Sequence, residues 1–256
     1  MKTMVIKVGG ALLACETGTA RLFGTLKELQ SAGWQAVLVH GGGVLVDQQL
    51  KANGFVSEKK HGLRVTPEEQ MDVVAGALAG SANSQLVAAA IAAGLNPVGL
   101  SLADGGMTQA QVLDPELGAV GKVCAGDASL LNSLSALGML PIISSIAVDP
   151  SGQRLNVNAD QAATVICQLL NAELTLLSDV SGVLDGKGQL IPCLDPALAA
   201  ELTRQGVIEG GMKVKVEAAL DAARSINNRV LVASWRYPEQ LAALVKGEPV
   251  GTQVHP

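Results

Sequence analysis

A lysine next to paired glycines occurs at Lys7-Val8-Gly9-Gly10, and a second glycine run follows a histidine at His40-Gly41-Gly42-Gly43. Glycine lets successive backbone N–H groups turn toward an anion, and a helix opening near Val44 adds the positive end of its dipole. Two such turns beside Lys7 point to phosphate binding. A third glycine pair, Gly210-Gly211, opens a helix with Lys213 and Lys215 in its first turns. That end of the macrodipole disfavours cations by roughly 0.3 to 1 kcal/mol each, a cost that a bound anion would offset. The two lysines stand about 200° apart around the helix, so they cannot share a face. Glu209 and Glu217 neutralise Lys213, which leaves Lys215 for the cleft.

In Leu155-Asn156-Val157-Asn158-Ala159-Asp160-Gln161, Asn158 has the spacing of a helix N-cap and Asp160 that of a first-turn acid. Asn156 has no such local duty, so its amide is free for a ligand. Arg64, at the lip of a turn before Pro67, suits bidentate capture of a carboxylate, although a surface ion pair explains it equally well. The Asp-, Ser- and Gly-rich run Ser178 to Gly188 fits either a nucleotide loop or a plain surface turn. His40 and His61 lack partners at catalytic or metal spacing and are read as structural. No G-x-x-x-x-G-K-[ST] motif occurs. The run after His40 starts like a dinucleotide fingerprint but carries Val46 where its third glycine belongs, which makes a nicotinamide enzyme the weaker reading.

The elements that position these residues alternate. Met4–Val8, Ala36–His40, Pro97–Leu100, Leu140–Ser144, Leu174–Ser178 and Val230–Ala233 read as strands that are apolar on both faces. Thr19–Ala32, Val44–Asn53, Pro67–Ala93, Ser129–Leu137, Ala159–Leu170 and Met212–Ile226 read as helices. The class is α/β: a three-layer αβα sandwich with a largely parallel central sheet. Hairpins are expected at Val56–Val65, Met107–Val123 and Ile146–Leu155. Residues 1–256 form a single domain, with an N-terminal lobe to about 155, a C-terminal lobe from about 156, and a cleft between them.

Composition narrows the function. The 256 residues are 48% hydrophobic with only 2% aromatic, and the net charge is −5. Disorder is excluded by the hydrophobicity, and single-stranded nucleic-acid reading by the want of stacking rings in a basic groove. Four scattered cysteines suggest buried thiols rather than a metal clip. Neither a signal peptide nor an apolar run of about 18 residues is evident, so a cytoplasmic protein without membrane contact is expected.

In order along the chain, KVGG at Lys7, HGGG at His40, NGFVSEKKHGLRVT around Arg64, ALAGSANSQL around Asn83, LNVNADQAAT around Asp160, LLSDVSGVLDGKG around Asp179 and GGMKVKVEAALDAA around Lys215 resemble the acetylglutamate kinases of the amino acid kinase family, from the first strand to Gly251. The resemblance implies transfer of the ATP γ-phosphoryl group to the side-chain carboxylate of N-acetyl-L-glutamate, a step of arginine biosynthesis. By the same resemblance Lys7 and Lys215 would contact the transferring phosphoryl, and Asp160 would orient both lysines. Gly9 and Gly10 would meet nucleotide phosphates, Gly42 and Gly43 the substrate, and Arg64 with Asn156 would hold the acetylglutamate. Asp179, Val180, Ser181, Gly182, Val183 and Leu184, with Val207, Ile208, Glu209, Gly210, Gly211 and Met212, would line the ATP site. Mg²⁺ would be held mainly by phosphates and water. A homodimer is implied, with the helix from Pro67 to Ala93 as its contact. Arginine-inhibited members carry an extra helix before the first strand, so an arginine-insensitive enzyme is expected.

Overall fold

The computed structural model describes residues 2–60, 62–246, 248 and 250–256; the reading of His61 lies outside them. Its strands are β1 (Lys2–Val8), β2 (Trp34–His40), β3 (Lys59–Lys60), β4 (Leu63–Arg64), β5 (Pro97–Ser101), β6 (Thr108–Val112), β7 (Val120–Ala125), β8 (Leu140–Ser144), β9 (Ile146–Val148), β10 (Arg154–Val157), β11 (Glu173–Ser178), β12 (Cys193–Leu194), β13 (Val230–Ser234) and β14 (Thr252–Val254). The α-helices are α1 (Gly10–Leu13), α2 (Glu16–Ser31), α3 (Gly43–Ala52), α4 (Met71–Ala75), α5 (Asn83–Ala92), α6 (Ser129–Ala136), α7 (Ala159–Leu170), α8 (Pro196–Arg204), α9 (Gly210–Ile226) and α10 (Gln240–Val245).

Eight strands form one sheet in the order β12-β14-β13-β11-β1-β2-β8-β5. Every pairing in it is parallel except β13 with β14. Side chains alternate across it, as strand geometry requires. Met4, Ile6 and Val8 enter one core with Leu22, Phe23 and Leu26 of α2 and Leu86 of α5. Val5, Val37 and Val39 enter the other, with Val46 and Leu50 of α3, Ala162 and Ile166 of α7 and Val216 of α9. Helices therefore cover both faces, and the expected layers are present. Period two also puts Lys7 on the face of Val5, beneath α7, and His40 on the opposite face, beside α5.

The expected hairpins pair as β3 with β4, β6 with β7, and β9 with β10. β7 and β10 also pair in parallel, making a second sheet in the order β6-β7-β10-β9. The expected helix from Pro67 to Ala93 is segmented. A 3₁₀ turn at Glu68–Gln70 leads into α4, then a π-helical run, Gly76–Ala82, then α5. By length and composition Glu68–Ala92 would suffice to cross a membrane. Here its first half packs in one core through Met71, Val74 and Leu78, and its second in the other through Leu86 and Ala90.

The cysteine expectation needs correction. Cys167 is buried and its thiol is pushed up to about 12 by that burial, but Cys15 is half-buried and Cys124 and Cys193 are exposed. Cys193 sits on the edge strand β12 and Cys124 near the end of β7, positions where burial was never on offer.

Candidate active site

β1 and β2 end level with each other, Lys7 opposite Val39 and Val8 opposite His40, so the two glycine turns lie side by side. The Gly41 N–H donates to the Val8 carbonyl at 3.2 Å and ties the turns together. A Cβ on Gly10 would stand 3.2 Å from the backbone nitrogens of Gly43 and Val44, and one on Gly42 would stand 2.9 Å from the Leu78 side chain. A side chain at Gly10 would push the turns apart, and one at Gly42 would have to displace Leu78. Gly9 and Gly42 are the N-caps of α1 and α3, and neither helix start has a side-chain cap. The amides there are left for an anion.

These turns form the floor of a cavity of about 380 Å³. Lys7, Gly9, Gly10, Gly42, Gly43, Arg64, Asn156 and Asp160 all line it. Lys7 Nζ lies 2.9 Å from Asp160 Oδ1. That carboxylate is placed by α7, whose N-cap Asn158 accepts from the Asp160 and Gln161 N–H groups at 2.9 and 3.2 Å. The capping function of Asn158 and the placement of Asp160 are thus one feature.

The opposite wall carries Arg64, with only 9% of its side chain exposed. Its Nη1 donates to Asp47 Oδ1 at 2.5 Å and to the Ser57 hydroxyl, and its Nη2 donates to the Gly43 carbonyl at 3.3 Å. The Arg64 guanidinium, with help from Ser57, holds the Asp47 carboxyl below its ordinary range. Asn156 is less free than its sequence context suggested, since its Nδ2 donates to the Thr66 hydroxyl at 3.1 Å. Its Oδ1 accepts no hydrogen bond from the described residues.

Of the residues expected at the ATP site, Gly9 and Gly10 line this cavity, whereas Asp179 to Leu184 and Val207 to Met212 do not, nor does Lys215. Lys215 donates to Asp179 Oδ1 at 2.5 Å rather than meeting Asp160. Hydrogen bonds from Lys215 and then Ser178 hold the Asp179 carboxyl below its ordinary range. Lys213 pairs with Glu217 at 3.9 Å, on its own face of α9 as anticipated. Asp179 extends β11, and the loop after it is fixed at Gly182, whose φ of 148° and close approach to Thr252 exclude a side chain. The Val183 N–H donates to Thr252 Oγ1 at 2.8 Å. Val207 and Ile208 lead to Glu209, the N-cap of α9, which makes no side-chain cap, and Gly210 takes a positive φ of 50°. Val180, Ser181, Leu184, Gly211 and Met212 lie in these same two segments, beside Asp179 and Lys215.

Residues 2–234 match the amino acid kinase family. The chain belongs to that family. It is 60% identical over 255 residues to the acetylglutamate kinase of Shewanella loihica, covering all of this chain and 98% of that one. Among solved structures it resembles smu.665 from Streptococcus mutans UA159, at 27% identity and a TM-score of 0.80, covering 99% and 98% of the two chains. Giardia carbamate kinase has the same fold at 16% identity and a TM-score of 0.70, with 99% and 98% covered.

Several cavity residues escaped the sequence reading, among them Leu78, Ser145, Lys59 and Val120. Ser145 follows β8 at the same carboxyl edge as the glycine turns, which is a usable signal. Leu78 reaches the cavity through the π-helical run, for which composition gives no sign. Among the described residues, no group of three or more His, Cys, Asp or Glu is placed to hold a metal ion.

Proposed function

We propose that this chain transfers the γ-phosphoryl group of ATP to the side-chain carboxylate of N-acetyl-L-glutamate, giving the acyl phosphate and ADP in arginine biosynthesis. The observation that carries this reading is one cavity with two chemically distinct ends. Lys7, Asp160 and the unfilled amides of the glycine turns suit a transferring phosphoryl, and Arg64 with Asn156 suits an acylated amino acid. The full-length likeness to an acetylglutamate kinase agrees with it.

The chemistry needs no general base. A glutamate side chain has an ordinary pKa near 4.3 and is already ionised at neutral pH. What must be overcome is repulsion between two anions, so positioning and charge stabilisation supply the catalysis. Lys7, fixed by Asp160, is one cation for this purpose. Lys215 is the other, and it must leave Asp179 to reach the phosphoryl. Their ion pair is exposed, with 39% and 53% of the two side chains accessible. Such pairs are worth at most about 1 kcal/mol, so phosphate oxygens can take the lysine at little cost. In this reading Asp179 to Leu184 and Val207 to Met212 form the ATP site.

Mg²⁺ fits as a partner of the nucleotide. Asp160 and Asp179 each face a lysine and no acidic cage is present among the described residues, so phosphates and water would hold most of its shell, where it neutralises developing charge. The N-terminal and C-terminal lobes then correspond to acceptor and nucleotide halves of a single cytoplasmic domain. A homodimer is also part of the reading. α2 and α5 flank a surface groove lined by Leu13, Ala20, Ala88, Ala89, Ala92 and Ala93, a face for a second copy.

The test is coupled ADP release by the purified protein with acetylglutamate, free glutamate, aspartate, carbamate and uridine monophosphate. Turnover with acetylglutamate alone is expected. Comparable turnover with free glutamate would overturn the acceptor assignment.

A further inference from the structure

His40 and Asn83 touch neither the cavity nor any expected ligand, yet they are bonded to the turn that does. His40 is fully buried, and its two ring nitrogens are both engaged, Nδ1 with the Gly41 carbonyl and Nε2 with Asn83 Nδ2, each at 3.0 Å. The roles follow by elimination. Asn83 Nδ2 also lies 2.9 Å from the Ile142 carbonyl, which can only accept, so the amide orientation is fixed with its nitrogen toward the histidine. Nε2 therefore accepts from Asn83, and Nδ1 carries the proton that goes to the Gly41 carbonyl. Burial, which pushes the His40 pKa down to about 4, keeps the ring neutral and this tautomer in place.

The consequence lies in the next peptide. None of the described peptide bonds is cis, and in a planar trans peptide the C=O and the following N–H point in opposite directions. Holding the Gly41 carbonyl against the imidazole therefore aims the Gly42 N–H the other way, toward the cavity that Gly42 lines. No acceptor among the described residues takes that N–H. Asn83 itself is set by the fold: it is the first residue of α5 after the π-helical run Gly76–Ala82. Its Oδ1 sits only 2.2 Å from where a Cβ on Gly99 would be, so Gly99 makes room for it. The same run sets Leu78 against Gly42, 2.9 Å from where a Cβ there would stand.

We propose that His40 and Asn83 are positioning residues for phosphoryl transfer, which lock the Gly41 peptide so that the Gly42 N–H points at the anionic acceptor and transferring group. This rests on the reading of the glycine turns as the anion site. A preoriented donor acts on charge that develops in the transition state, so its misalignment lowers kcat more than it raises KM.

The experiment compares two replacements of similar size in the full-length enzyme. His40→Asn keeps an amide nitrogen near the Nδ1 position, and His40→Gln keeps an acceptor near Nε2 but offers no donor to Gly41. His40→Asn is expected to retain kcat within about 5-fold, and His40→Gln to lose on the order of 30-fold or more, with both KM values within about 3-fold. Equal losses in the two variants, or full kcat in His40→Gln, would overturn the proposal. Should a variant not fold, the wild-type protein labelled with ¹⁵N-histidine decides: His40 must be the Nδ1–H tautomer, and an Nε2–H tautomer refutes the lock. If wild type itself does not turn over acetylglutamate, the functional reading fails, while the tautomer still reports on the lock.

Discussion

The proposed acceptor half and nucleotide half of this site are built differently. On the acceptor side, Lys7, Asp160, Arg64 and two interlocked glycine turns already surround one cavity, each held by a neighbour in the fold. On the proposed nucleotide side, Lys215 and Asp179 are half-exposed and pair with each other, one on a helix start and the other on the loop after β11. The first half is preorganised by strand ends packed between two cores. In the proposed reading the second is completed by its ligand, whose phosphates would draw Lys215 away from Asp179. Preorganisation lowers the cost of positioning the acceptor, and exposure lets nucleotide enter and leave.

Substitutions break this comparison in graded ways. The largest effect is expected for Lys215→Ala, with kcat lowered on the order of 10²- to 10³-fold and both KM values little changed in steady-state assays. A small, equal effect on kcat and KM would remove Lys215 from the chemistry. Arg64→Ala should act chiefly on acceptor binding, raising the acetylglutamate KM by on the order of 10- to 100-fold while the ATP KM stays put, since truncating a charged hydrogen-bonding partner typically costs about 1.5 to 3 kcal/mol. Smaller again, Asp179→Asn should change ATP binding by only about 2- to 5-fold, because the pair it breaks is exposed. If Asp179→Asn instead abolished turnover, the carboxylate would have a direct role that the open pairing hides.

The glycine turns add a pH-dependent expectation. His40 is held neutral when folded, at about 4, and would titrate near 6.5 when unfolded, so between these values the unfolded chain binds the extra proton. Stability is complete above about 6.5 and declines as pH falls toward 4, by roughly 3 kcal/mol from this group. Urea melts at pH 7 and pH 5 should show the decline. His40→Asn should flatten it, and an unchanged slope would mean that the ring is not buried neutral.

Much of this was legible in the sequence, and the exceptions have physical causes. Six of the eight strands of the large sheet were marked by runs apolar on both faces, because a parallel sheet covered by helices leaves no polar face to confuse the period. Both glycine turns and the α7 cap were marked because their local backbone chemistry is written in adjacent residues. The short strands β12 and β14 and the short helices α8 and α10 were not, since short elements at and beside the sheet edge carry little periodicity. The Lys215–Asp179 pair joins residues 36 positions apart, and nothing in either segment announces it. The π-helical run was likewise silent: its composition is that of an ordinary Ala- and Gly-rich helix, and only tertiary packing explains why Leu78 and Asn83 end up against the His40 turn.

The central claim is that two lysines from the two halves converge on one phosphoryl group. A crystal structure with ADP, aluminium fluoride, Mg²⁺ and acetylglutamate tests it most directly. The Lys7 and Lys215 amines should both lie within hydrogen-bond distance of the fluoroaluminate, with Lys215 gone from Asp179 and Arg64 on the acceptor's α-carboxylate. Lys215 still paired with Asp179 in the filled site would contradict the account.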